Sequence, residues 1–319
     1  MLRVSVLIAA IVLLATPTIA DDYPSRPVRL VVPFAAGGGT DALARFLAKG
    51  IEGKLGQPIV IENKPGSGTT TGATFVARSA PDGYTLLMAT ASTLAMAPSF
   101  YKNLAYDPTT DFSPITMIAE LPFILTTNPG LGAATLKDFI ELARAKQGAM
   151  SYASAGAGSV HHISMELLKS LTGIDLKHVA YRGGGPAQQD VVAGHVPAMF
   201  SDIGPAAELI RAGKLTALGV TTRTRAAILP EVPTVEEAGV PGFESNTWQC
   251  VVGPARMPEA IVSRLNKLLV DYVATPEAQA HLIRLGMQPG TSTPGEQAAH
   301  IRAELARWGK VIKAIGPIE

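Results

Sequence analysis

The chain has 319 residues and a formal net charge of +1 with no basic cluster, which argues against nucleic acid as a partner. Aromatic residues are 6% of the total, too few to favour a sugar-stacking cleft, and about 300 mature residues are enough for two domains. Cys250 is the only cysteine, so the chain has no internal disulfide, and in its apolar run the thiol reads as buried packing.

In chain order, residues 1–20 combine Arg3, an apolar stretch from Val4 to Ala15 and a small-residue site ending at Ala20. That pattern predicts a secretory signal cleaved near Ala20, too short to span a membrane, with no cysteine there to take a lipid. An exported, soluble periplasmic protein is expected. The run Val28–Pro33 predicts a strand leading through Gly37, Gly38 and Gly39 into a helix that opens at Thr40 or Asp41. Leu43, Leu47, Ile51 and Leu55 fall on one face of that helix, and Gly56 stops it. Glycines let a ligand approach the backbone, while unpaired N–H groups and the positive dipole end of the helix face the turn. With no P-loop lysine and no Gly-x-Gly-x-x-Gly spacing, a small carboxylate fits better than a nucleotide.

Further strand-like runs at Ile59–Ile61, Thr85–Ala89, Ile115–Ile118, Phe123–Thr127, Val196–Phe200 and Leu215–Val220 alternate with helical patterns. They predict an α/β architecture with open parallel-type sheets whose crevices lie at strand carboxyl ends. With no Gly/Ser linker, the domains are expected to be joined by ordered crossings at Asp111–Thr127 and Phe243–Gly253. A second glycine turn, Ser151–Ser159, leads into a helix with Val160, Ile163, Leu167, Leu168 and Leu171 on its apolar face. A third, Tyr181–Asp190, predicts a helix from Pro186. Single glycine turns are often plain connectors; three suggest a shared cleft.

His161, His162 and Glu166 are read as a solvated first-turn cluster with an i,i+4 pair, not as a metal site, because no further ligand can be nominated. Asp202 either caps the following turn or lines the cleft, and Arg182 either pairs with a ligand or is a solvated surface group. Helices are predicted from Pro258, with Ile261, Leu265, Leu268 and Leu269 inward, and from Pro294, with Ile301, Leu305, Trp308 and Ile312 inward. No nucleophile elbow or zinc-protease motif is present, so neither catalysis nor a cofactor is expected.

Several segments occur in a specific order: Pro33–Asp41, Glu62–Gly68, Pro81–Leu86, Ser154–Ser159 with His161 and His162, Tyr181–Ala187, Arg225–Thr234, Glu237–Phe243 with Trp248, and Ser292–Pro294. Taken together, the chain resembles the Bug-type solute receptors of the tripartite tricarboxylate transporter family. The resemblance implies a two-lobed periplasmic-binding-protein fold of type II, a Venus flytrap in which each lobe is a mixed sheet flanked by helices. Lobe 1 would be 21–122 with 246–319, and lobe 2 would be 123–245. It implies a small organic carboxylate as ligand, a di- or tricarboxylate, an aromatic acid or an acidic amino acid. Backbone N–H groups of both lobes would hold it, and membrane permease subunits would receive it from a monomeric receptor. By position, the ligand-contact residues would be Ala36, Gly37, Gly38, Thr40 and Asp41; Thr90, Ala91 and Ser92; Ser154, Ala155, Gly156, Ser159 and His162; and Arg182, Gly183 and Asp202. Two rivals remain at this point: a hydrolase using His162 with Ser159 or Ser154, and a binder serving a sensor protein.

Overall fold

A computed structural model describes residues 23–315. The predicted signal segment and its cleavage site lie outside the described residues.

The first strand, β1 (Val28–Val32), puts Val28, Leu30 and Val32 against one face of its sheet and Val31 against the other, so both faces are covered. It is followed by α1 (Gly39–Leu55), which buries Leu43, Leu47, Ile51 and Leu55 and ends at Gly56 in the left-handed conformation, φ 89°. Full burial of each such side chain contributes roughly 1.5–3 kcal/mol. β2 (Ile59–Asn63), α2 (Thr70–Ala77) and β3 (Thr85–Thr90) follow, and β2 and β3 flank β1 in parallel. A short wide helical turn, Ser92–Met96, runs into α3 (Ala97–Phe100).

The two runs predicted as separate strands at Ile115–Ile118 and Phe123–Thr127 form one long strand, β4 (Phe112–Thr127). Neither Pro114 nor Pro122 breaks it, since a missing N–H is tolerable where a ladder shifts or changes partners. Next come α4 (Leu136–Ala145), opened by a reciprocal Thr135–Asp138 capping box, and β5 (Ser151–Ser154), which the sequence reading took as part of a turn. Then α5 (Val160–Thr172), β6 (Lys177–Ala180), α6 (Gly184–Val192), β7 (Ala198–Asp202), α7 (Ile203–Arg211) and β8 (Thr216–Val220) alternate. The chain closes with β9 (Asn246–Pro254), α8 (Glu259–Val273), α9 (Pro276–Arg284), β10 (Gln288–Pro289) and α10 (Pro294–Ile315).

Strand order along the sheet is β2-β1-β3-β9-β4-β7-β5-β6, with β8 and β10 also on β4. The expected parallel-type sheets are in fact mixed: β9 lies antiparallel between β3 and β4, and β7 and β8 are antiparallel to β4. β4 changes partners along its length. Phe112–Pro122 pairs with β9, and Phe123–Thr127 pairs with β7 and β8. One core packs α1 and α8 on β1, β3 and the first part of β4. A second runs unbroken from β3 and β9 through α10 to α4, α5 and β5. Glu304 of α10 accepts from the indole N–H groups of both Trp248 and Trp308 at 3.0 Å, tying the last helix to β9. Cys250 is fully buried in β9, where burial pushes its thiol up to about 12.

Candidate functional site

The glycine turns follow β1, β5 and β6 at their carboxyl ends and converge with the end of β7. Gly38, the N-cap of α1, has an ordinary extended backbone and offers no side chain, so the first-turn N–H groups need acceptors from elsewhere. Gly39 N–H donates to Asp202 Oδ2 at 3.0 Å. Asp202 stands at the N-cap of α7 but makes no cap bond there; its Oδ1 lies 3.3 Å from His161 Nε2. A Cβ built on Gly184, where α6 begins, would lie 2.9 Å from Asp202 Oδ2, and one on Gly38 would lie 3.7 Å from it. Two helix N-termini and an imidazole thus close on one carboxylate. Burial would raise its pKa, but the His161 bond and the Gly39 N–H outweigh burial and hold Asp202 below the ordinary carboxylate value.

Other candidate residues of the first turn brace it. Asp41 accepts from Gly37 N–H at 3.1 Å, Arg45 Nε at 3.0 Å and Asn63 Nδ2 at 2.9 Å; these bonds overcome burial and keep it ionised. Thr40 Oγ1 accepts from Gln249 Nε2 at 3.1 Å. Ala36 and Gly37 are exposed. Thr90 meets Thr93 at 3.3 Å through hydroxyls, and Ala91 is buried.

At the second turn Ser159 caps α5, accepting from His162 N–H at 3.4 Å, and Ser92 accepts from Val160 N–H at 2.9 Å. Ser154 Oγ accepts from Gly156 N–H at 3.1 Å and lies 2.6 Å from His178 Nε2, while Ala155 packs into the core. At the third turn Ala35 N–H donates to the Arg182 carbonyl at 2.8 Å; the Arg182 side chain is exposed. Gly183, at φ 147°, leaves room for this approach, since a Cβ there would lie 3.0 Å from Ala35 N. The helix begins at Gly184 rather than at Pro186. A cleft of about 550 Å³ opens beside these contacts, lined by Gly66–Thr69 on one wall and by Ala155–Ala157 and Ala180–Arg182 on the other.

The expected solvated histidine–glutamate pair is not formed. His162 is buried, stacks on His178 with ring centres 3.8 Å apart, and accepts from Gly158 N–H through Nδ1 at 3.0 Å. Burial, with His178 and Lys169 nearby, pushes its pKa down to about 3; burial and Lys169 push His178 down to about 4. Glu166 instead accepts from the Tyr152 hydroxyl and from Lys169 Nζ at 3.0 Å. The helix face is apolar enough to draw both imidazoles inward, which spacing alone does not reveal. Among the described residues no three His, Cys, Asp or Glu side chains are grouped for a metal.

Among the buried polar atoms without a protein partner, Thr69 Oγ1 belongs to the cleft wall and His161 Nδ1 to the imidazole that faces Asp202, while His162 Nε2, Gln188 Nε2 and Gln249 Oε1 lie on α5, α6 and β9. Each costs about 1–3 kcal/mol when nothing bonds to it, which marks a place built to be solvated or filled. Sequence reasoning passed over His161, Gly184, Thr69 and Gln249 as site residues. The Ser154–Ser159 motif with His161 and the Tyr181–Ala187 motif were the available signal for two of them, whereas Thr69 follows the Glu62–Gly68 motif and Gln249 lies in a strand far along the chain.

The model of the tripartite tricarboxylate transporter family receptor matches residues 43–317. The chain belongs to this family. Among solved structures, Rpa4515 of R. palustris with adipate is 36% identical and superposes with a TM-score of 0.90, over 92% of this chain and 99% of that one. The periplasmic binding protein BugD is 35% identical with a TM-score of 0.89, over 92% of this chain and 99% of BugD. MatC of Rhodopseudomonas palustris with bound malate is 35% identical with a TM-score of 0.87, over 91% of this chain and 100% of MatC. This Bug-type receptor therefore has the two-lobed periplasmic-binding-protein fold, and as a receptor it is a binding protein rather than an enzyme. The local geometry agrees: Ser159 Oγ is occupied with the His162 backbone, and Ser154 bonds His178, not His162.

Proposed function

We propose that this receptor captures a small organic dicarboxylate in the cleft between its lobes and delivers it to the membrane permease subunits of a tripartite tricarboxylate transporter, acting in the periplasm as a monomer after its signal segment is removed. Support for the ligand class comes from the acids bound by its structural relatives, adipate in Rpa4515 and malate in MatC. The observation that carries the location is the convergence of the α1 and α6 N-termini on one carboxylate.

The lobes on this reading divide at Pro122/Phe123, where β4 exchanges β9 for β7 and β8, and at Ser245/Asn246, where β9 begins. One ligand carboxylate sits at the Gly38–Gly39 amides of lobe 1, and the Gly184 amide and the His161 imidazole meet it from lobe 2. Fixed backbone dipoles hold the charge without a buried cation that would itself need pairing in the empty site. Closure is a population shift, because a ligand that touches both lobes only in the closed form stabilises that form. Mass spectrometry of small molecules released from denatured receptor, followed by calorimetry with the acid found, tests the reading. Recovery of a dicarboxylate that rebinds supports it, and recovery of any other solute that rebinds overturns it.

A further inference from the structure

The seat assigned above to a ligand carboxylate is filled by a carboxylate of the protein. Asp202 takes the Gly39 N–H, packs against Gly38 and Gly184, and faces the His161 imidazole, with its side chain 15% exposed. Nothing local requires this. At the N-cap of α7 its side chain would ordinarily turn inward to the second or third N–H of its own helix, and it makes no such bond. Gly39 opens α1 on the side of the molecule built on β1, whereas Asp202 ends β7 beyond the point where β4 changes partners.

We propose that Asp202 is a tethered internal anion, which holds the empty lobes together and competes with an incoming carboxylate for the N-terminus of α1, and thereby lowers the affinity for every acid by a common factor that only an acid with further contacts in the cleft overcomes. This rests on the ligand seat proposed above. Two ionised carboxylates cannot share one set of donors without a proton between them, so an entering acid must displace Asp202. A tethered group acts at a high effective concentration, and an acid that only replaces its contacts gains little. A diacid gains more, because its second carboxylate finds donors elsewhere in the cleft, where Thr69 Oγ1 is buried and unpartnered. Displacement also lowers apparent affinity for every acid by the fraction of molecules in which the seat is free.

The test compares wild type with Asp202→Ala and Asp202→Asn in two assays. In solution scattering without added ligand, Asp202→Ala is expected to enlarge the radius of gyration, since the charge that bridges the lobes is gone. In calorimetry with adipate, malate and acetate as probes, Asp202→Ala is expected to bind each acid at least about five-fold tighter with the preference for a diacid over acetate unchanged, and Asp202→Asn to show a smaller gain in the same direction. Asp202→Asn keeps the size but offers the Gly39 N–H only a weaker, neutral acceptor, and serves if the alanine variant does not fold. Unchanged scattering, or diacid binding that is no tighter in the variants, overturns the proposal while leaving the carboxylate reading in place. Failure of wild type and both variants to bind any of the three acids overturns the competition and the carboxylate reading together.

Discussion

The N-termini of α1 and α5 share one sequence logic, a strand, a glycine turn and a helix, and the structure uses them in opposite ways. α5 is closed by neutral hydroxyls, its own Ser159 and the Ser92 that reaches its first N–H, so its dipole end is already satisfied. α1 has glycine at its N-cap and takes its acceptor from a distant carboxylate. A helix end capped by its own side chain is a structural joint, whereas one left to an exchangeable anion is a binding seat.

The contact most able to break this comparison is Gly68. A Cβ there would lie 1.8 Å from the Ala157 carbonyl on the opposite wall of the cleft, a clash that only opening relieves. Gly68→Ala is expected to weaken acid binding about a hundred-fold, about 2.7 kcal/mol, by calorimetry, and also to lower the melting temperature, because an alanine at φ 58° is strained. Affinity within three-fold of wild type would mean that the walls need not meet.

The next effect is graded and belongs to the α5 side. His162 and His178 are held at about 3 and about 4, below their ordinary 6.5, so the unfolded chain binds more protons than the native one between those values and 6.5. Stability is then fully present above pH 6.5 and falls as pH drops through that window, by up to about 1.4 kcal/mol per pH unit for each imidazole. Urea midpoints measured from pH 7 to pH 4.5 check this, and His178→Gln should flatten the profile. A wild-type profile level down to pH 5 would show that the pair is not buried neutral.

Gly38→Val sharpens the comparison on the α1 side. Gly38 has an allowed φ of −87° and room for a Cβ, so the fold should survive while branched methyl groups crowd the seat. More than ten-fold loss of affinity is expected, about 1.4 kcal/mol. Ser159→Ala, in contrast, removes a cap and should lower stability by about 1 kcal/mol in a denaturant titration, with a smaller change in affinity than Gly38→Val. An affinity loss equal to that of Gly38→Val would make the two helix ends equivalent. At the bottom of the scale, EDTA should shift neither melting temperature nor acid binding.

Much of the fold was legible because α1, α8 and α10 carry strong apolar stripes between a proline or glycine start and a clear stop, and because the runs of β1, β3 and β8 are short and β-rich. β4 was not legible as one strand. Pro114 and Pro122 read as breaks, and only the exchange of β9 for β7 and β8 explains why they are harmless. β9, whose sequence carries Gln249 and the lone cysteine, looked like a crossing, since a strand inserted from far along the chain leaves no local mark. At the site, the glycine turns and Asp202 were visible, but the partner of each was not: Gly39 and Asp202 lie 163 positions apart. The inward turn of His162 was hidden by its hydrophilic spacing, and only the stacking surface of His178 and Tyr152 makes it intelligible.

The account stands most directly on the amides of Gly38 and Gly39. Nitrogen-15 NMR of the labelled receptor, titrated with adipate and malate, should show these two resonances moving among the most of any backbone amide and saturating with the binding isotherm. Saturable binding that leaves both amides in place while others shift would contradict the claim that α1 presents the carboxylate seat.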